Sequence, residues 1–261
     1  MIHVGAIAKN IIAHSAEREA VCEKHGIYTS KFYMGQIWSK CGTCAAEAAK
    51  LHAEREAAEQ AEKDREKMAR MLGTAGIPDR FQDRTLGCFD TTEPGQRHAL
   101  DFAEAFAAEF AGKHSGRCAV FFGNAGTGKT HLACGVALQI MRKYNRTAIF
   151  TSVSKMARRI REAKSFSADE TESSVILAYS MPHLLILDEV GVQHGTEHEK
   201  MILFDVINDR YANCRGTVLL SNLSADDLRE YLGDRIMDRF REGGFVLNFD
   251  WESHRGKRDA A

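Results

Sequence analysis

No stretch of this sequence has the unbroken apolar length that a membrane-spanning helix requires, so no membrane partner is expected. An excess of charge of one sign is missing too. Thirty-five Lys and Arg meet 36 Asp and Glu for a net charge of −1, so any contact with nucleic acid must be a local patch. The opening "MIHVGAIAKNIIAHSAERE" lacks a basic segment followed by a long apolar one, so a secretory signal is not expected. A disulfide framework is equally unsupported: the cysteines number seven, and Cys88, Cys118, Cys134 and Cys214 stand far apart. No internal repeat is evident. With 44% hydrophobic and 27% charged residues, the reading is a soluble, cytoplasmic protein with one large α/β domain and a small appendage.

Three compositional zones divide the chain. Residues 1–44 hold the only tightly spaced Cys/His set: Cys22 and His25 in "CEKHG", then Cys41 and Cys44 in "CGTC". Two close pairs across a short loop are the ligand arithmetic of a tetrahedral structural zinc site. A segment this short, with Phe32, Tyr33 and Trp38 in the gap, needs such a staple to fold. Residues 45–75 are alanine-rich and densely charged, with Glu59/Lys63 and Glu66/Arg70 four apart in the favourable order. They read as a solvated helical linker, ended by Gly73, Gly76 and Pro78.

From residue 76 to 261, short apolar runs alternate with helical patterns. The runs are "CAVFFG" (118–123), "TAIFTSV" (147–153), "HLLILDE" (183–189), "GTVLLSN" (216–222) and "GFVLNF" (244–249). Near-continuous apolar strands covered on both faces, with spacers long enough for crossover helices, predict a mostly parallel five-stranded sheet flanked by helices.

"GNAGTGKT" (123–130) fits the P-loop pattern at every fixed position, between a predicted strand and a predicted helix. Gly123, Gly126 and Gly128 let the backbone N–H groups, with those of Asn124, Ala125 and Thr127, face the phosphates of ATP. Lys129 supplies a point charge to the β/γ-phosphates, and the Thr130 hydroxyl can ligate Mg²⁺. At the end of "HLLILDE", Asp188 is placed to hold Mg²⁺ and Glu189 to deprotonate an attacking water. Asn222, at the next strand end, is either a γ-phosphate or water contact or a turn former. Near the end of the chain, "GDRIMDRFREGG" (233–244) sets Arg235, Arg239 and Arg241 within seven positions. Ile236, Met237 and Phe240 form its buried stripe, and Asp234 and Asp238 are the nearby acids.

Together, "GNAGTGKTHLA", "LLILDEVGVQ", "LLSNL", "GDRIMDRFREGG" and "FDWESHRGK" resemble the AAA+ ATPases of the DnaC type, the replicative helicase loaders, over roughly residues 76–258. The last two motifs lean toward DnaC over its transposition relative IstB. The resemblance implies Walker A residues at Lys129 and Thr130, Walker B residues at Asp188 and Glu189, and sensor 1 at Asn222. It makes Arg239 an arginine finger reaching a neighbouring subunit's ATP, and Arg255 the sensor-2 contact to the γ-phosphate. It also implies a reduced or absent lid. Single-stranded DNA contacts fall on "REAKSF" and "QHGTEH", with Phe166 as the stacking aromatic and Thr196 and His198 near the DNA backbone; "KMARRIREAK" (155–164) adds positive charge.

The resulting expectation is a slow Mg²⁺-dependent ATPase, stimulated by DNA or partner, that loads a replicative hexameric helicase onto single-stranded DNA. It would self-associate through the arginine finger. The alternatives are an IstB-like transposition helper and a non-catalytic ATP-dependent adaptor.

Overall fold

Each of the five apolar runs forms a strand in the computed structural model, which describes residues 16–33, 37–112, 116–165, 169–191 and 196–254. These strands are β4 (Ala119–Gly123), β5 (Ala148–Ser152), β6 (Leu184–Asp188), β7 (Gly216–Leu220) and β8 (Phe245–Phe249). They lie in the order β5-β6-β7-β4-β8, and every pairing is parallel. A strand inside such a sheet has no solvent face, which is why the sequence shows apolar runs without alternation. Successive residues still point to opposite sides. On β6, Leu184 and Ile186 join one core layer while Leu185 and Leu187 join the other. Each of these four side chains is fully buried and stabilises the fold by about 1.5–3 kcal/mol.

Helices fill both layers. One is made by α2 (Pro94–Ala108) and α3 (Lys129–Tyr144), packed with Phe106, Phe110 and Phe121. The other is made by α4 (Val153–Glu162), α5 (Glu172–Ser180), α6 (Glu197–Ala212) and α7 (Ala225–Gly243). Within α7 the backbone kinks at Gly233 (φ 73°). Its second half buries Ile236, Met237 and Phe240, the stripe expected from sequence.

Arg210 of α6 is fully buried without a carboxylate partner among the described residues. Its guanidinium instead donates to Thr217 Oγ1 at 3.0 Å and to the carbonyls of Tyr179 (2.8 Å), Ser180 (3.1 Å), Pro182 (3.0 Å) and Gly216. Burial pushes its pKa down to about 9. The side chain thereby ties the turn before β6 to the start of β7.

The chain divides into two compact units, Met1–Lys67 and Met68–Ala261. In the first, β1 (Ala16–Cys22), β2 (Gly26–Tyr33) and β3 (Ile37–Trp38) form a three-stranded antiparallel sheet, which the sequence reading did not anticipate. The tight turn Glu23–His25 joins β1 to β2, and Gly26 (φ 76°) completes it. Phe32 packs on Trp38, with centroids 5.0 Å apart, and the Arg18 guanidinium lies 4.1 Å from the Trp38 ring centre. Helix α1 (Gly42–Ala75) is solvated along most of its length and stops where Gly76 turns left-handed (φ 66°). No helix among the described residues is long and apolar enough to cross a membrane.

Candidate nucleotide site and cysteine–histidine centre

Parallel strands that end together create a row of backbone ends at one edge of the sheet, the place where α/β sheets bind ligands. β4 ends there at Gly123, β6 at Asp188 and β7 at Leu220. The loop after β4 takes positive φ at Gly123 (117°), Gly126 (80°) and Gly128 (97°). Space as well as rotation forbids side chains at two of them. A Cβ at Gly123 would lie 2.6 Å from the Phe249 carbonyl oxygen, and one at Gly128 would lie 2.8 Å from the Phe89 ring. The loop leads straight into α3, whose first N–H groups have no partners within the helix and face anions.

Lys129 is buried, and its ammonium donates to the carbonyls of Gly123 (2.9 Å) and Asn124 (2.6 Å) across the loop. The Thr130 hydroxyl donates to Asp188 Oδ2 at 3.2 Å, while Asp188 Oδ1 accepts the Glu189 N–H at 2.8 Å. Burial holds the Asp188 carboxyl above its ordinary range in spite of these hydrogen bonds. Glu189 is exposed and left-handed (φ 59°), a conformation that costs a non-glycine residue about 1–2 kcal/mol. Strain of this kind collects at functional sites. A glycine cradle of backbone N–H donors, a buried cation and a hydroxyl–carboxylate pair together fit a magnesium nucleotide: Lys129 and the loop would hold phosphate, and Thr130 and Asp188 the metal.

The end of β8 and the residues after it brace this loop, a contribution that sequence reasoning missed. Asn124 donates its backbone N–H to the Phe249 carbonyl at 2.9 Å and its side-chain amide to the Asp250 carbonyl at 3.1 Å. In return the buried Trp251 indole N–H donates to the Thr127 carbonyl at 2.9 Å, and the His254 N–H to the Gly126 carbonyl at 2.9 Å. Gln96 of α2, also buried, lies 3.3 Å from the His254 ring. The signal was the tryptophan inside "FDWESH": a buried indole N–H needs an acceptor.

Other expected residues are distributed as follows. Asn222 is exposed just after β7, whereas its neighbour Ser221 is buried and donates to the Val190 carbonyl at 2.7 Å. Arg239 sits on α7 with its guanidinium 5.4 Å from the Phe204 ring and 5.3 Å from the Tyr211 ring, both on α6. One of its terminal nitrogens is buried with no hydrogen-bond partner among the described residues. A pairing of Arg235 with a nearby acid does not occur: Asp234 binds Arg229 at 3.1 Å and Asp238 binds Arg241 at 3.7 Å. The kink at Gly233 brings Arg229 round to Asp234, and Arg235 stands exposed with no ion-pair partner among the described residues.

Thr196 caps α6, its Oγ1 accepting the Glu199 N–H at 3.2 Å, and His198 follows half-buried on the first turn. The basic stretch 155–164 is largely compensated by acids, through Arg159–Glu170 (2.6 Å), Lys164–Glu172 (3.0 Å) and the looser Arg158–Glu162 and Arg161–Glu199 (4.0 Å each). Phe166 and Arg255 lie outside the described residues.

In the N-terminal unit, Cys22, His25, Cys41 and Cys44 come together with their ligand atoms all within 4.8 Å of one another. Backbone N–H groups of Lys24 and His25 hold the Cys22 thiol below its ordinary range. Those of Cys44 and Thr43 do the same for Cys41. The Cys44 thiol, hydrogen-bonded to the Cys22 sulfur at 3.5 Å, is pushed up to about 11.

Comparison with known proteins agrees with this geometry. Residues 50–260 match the model of the family described as IstB-like ATP binding protein. The replicative helicase loader DnaC of Buchnera aphidicola subsp. Schizaphis graminum is 30% identical over 190 residues, covering 72% of this chain and 76% of that protein. DnaC of Escherichia coli K12 is 29% identical over 204 residues, covering 78% and 82%. The crystal structure of a DnaC helicase loader superposes with a TM-score of 0.59 at 22% identity, over 66% of this chain and 99% of that one. With its P-loop, its acid-tipped strand and its five-stranded parallel sheet, the chain belongs to the IstB-like ATP-binding family, as a DnaC-type AAA+ protein.

Proposed function

We propose that this protein is a Mg²⁺-dependent ATPase that loads a replicative hexameric helicase onto single-stranded DNA. The observation that carries the reading is the set Lys129, Thr130, Asp188 and Glu189 at one sheet edge, in a chain related to helicase loaders along most of its length. When bound, Mg²⁺ supplies charge neutralisation at the phosphates. The chain's own part is to grip them with the P-loop and Lys129 and to orient water through Glu189 and Asn222. Arg255 acts on the γ-phosphate within the subunit, and Arg239 reaches the site of a neighbour. DNA contacts are assigned to Phe166, Thr196 and His198, with the single strand drawn by the exposed Lys155 and by Arg158 and Arg161, whose acid pairings are loose at 4.0 Å. A structural zinc ion in the Cys22/His25/Cys41/Cys44 centre holds together the head that precedes the α1 arm. The working compartment is the cytoplasm.

Capture of purified replicative helicase with and without ATP tests this reading. ATP-dependent capture is the expected result, and absence of capture in both conditions contradicts it. The family's own description motivates the second reading, a transposition helper; preference for duplex over single-stranded DNA, without helicase capture, would favour it.

A further inference from the structure

The Cys/His centre contains a fifth residue that the ligand spacing does not show. His25 Nδ1 lies 3.7 Å from Cys22 Sγ, 3.7 Å from Cys41 Sγ and 3.3 Å from Cys44 Sγ, and Cys22 Sγ lies 3.5 Å from Cys44 Sγ. A zinc ion with Zn–S of about 2.3 Å and Zn–N of about 2.0 Å sets tetrahedral edges of about 3.5–3.8 Å; these four separations stand close to that spacing, and all the ligand atoms lie within 4.8 Å of one another. They also fix which imidazole nitrogen faces the metal. Nδ1 is the nitrogen directed at the three sulfurs, whereas Nε2 points away and lies 3.1 Å from Glu47 Oε1. Glu47 follows Cys44 by three residues on the first turns of α1, so one helix face presents a thiol and a carboxylate to the same centre.

We propose that Glu47 is the outer partner of a zinc centre in which His25 coordinates through Nδ1. A carboxylate on Nε2 keeps the proton there, leaves the Nδ1 lone pair free for the metal, and fixes the plane of the ring. Glu47 is therefore a positioning residue for the metal, about one turn beyond the last ligand. Its carboxylate couples the start of α1 to the β1–β2 turn through His25. This inference rests on the zinc reading above, and its test separates the two.

Metal content of full-length protein purified without chelator is measured first. About one zinc per chain is expected, and none would remove the zinc reading itself. Zinc affinity is then compared by competition with a chromophoric chelator for wild type, Glu47→Gln and Glu47→Ala. Loss of an outer-shell partner of this kind lowers metal affinity by about 10- to 100-fold. The Ala variant should show that loss, and the Gln variant, which keeps an acceptor oxygen, should fall between. A two-bond ¹H–¹⁵N NMR correlation of the His25 ring adds a readout that a merely structural role would not move. It should show the proton on Nε2 and the metal on Nδ1. Stoichiometric zinc in wild type with unchanged affinity in Glu47→Ala would overturn the inference, as would coordination through Nε2.

Discussion

Trp251→Phe is the perturbation that best isolates what the residues after β8 do for the nucleotide site. Trp251 is 5% exposed, and its indole N–H donates to the Thr127 carbonyl at 2.9 Å, within a P-loop residue that is itself fully buried. Phenylalanine keeps an aromatic ring beside Phe249 (centroid separation 4.7 Å in the native protein) but removes the donor. A buried acceptor left without its partner costs about 1–3 kcal/mol. The cost falls on the loop conformation that faces phosphate, so a loss of 1–2 kcal/mol of preorganisation weakens nucleotide binding by about 5- to 30-fold. The assay is titration with a fluorescent ATP analogue at fixed Mg²⁺, run beside thermal melting. Val206→Ala serves as control: Val206 is fully buried in the opposite helical layer, so its truncation lowers stability without touching the loop. The reasoning is refuted if Trp251→Phe binds the analogue as tightly as Val206→Ala at matched loss of stability.

Other consequences can be measured with the same preparations. Lys129→Ala should abolish ATP binding, and Arg239→Ala should bind ATP nearly normally yet hydrolyse it poorly. Mixed and co-assembled, the two should recover activity, since one keeps an intact pocket and the other an intact finger; a mixture as inactive as its components would return Arg239 to a packing role against Phe204 and Tyr211. Arg210→Met strands four carbonyls and the Thr217 hydroxyl, so unfolding free energy should fall by more than about 4 kcal/mol, read by denaturant titration; a fall under about 1 kcal/mol would refute that role. Asp188 has a folded pKa raised by burial, so its protonation stabilises the fold as pH drops through that value while removing a Mg²⁺ ligand. As pH falls, Mg²⁺-dependent analogue affinity should therefore begin to decline at a higher pH than an ordinary carboxylate ligand would impose. In Asp188→Asn this component should be absent; an identical pH profile in that variant would refute it.

The sheet was legible because burial on both faces leaves the inner strands β6, β7 and β4 as apolar runs, while the edge strands β5 and β8 are apolar enough to match them, and the P-loop because its glycines serve one purpose between a strand and a helix. β1, reading "AEREAVC", was not legible: its residues are largely solvated and apolar content marks nothing there. The Trp251 and Gln96 contacts join positions more than a hundred residues apart, which no local pattern encodes. The partners of the terminal arginines escaped for a different reason. Helical spacing was the guide, and the left-handed turn at Gly233 breaks that spacing, giving Asp234 to Arg229 across five positions. Glu47 was hidden because the metal arithmetic counts ligands, and a carboxylate on the far side of an imidazole is not one of them.

The central claim is tested most directly by loading onto a closed single-stranded DNA circle, where a hexameric helicase cannot thread from an end. Wild-type protein, ATP and the purified replicative helicase should give helicase bound to the circle that survives removal of free protein, and Lys129→Ala should give none. Equal helicase retention with wild type, with Lys129→Ala and with no protein at all would contradict the account.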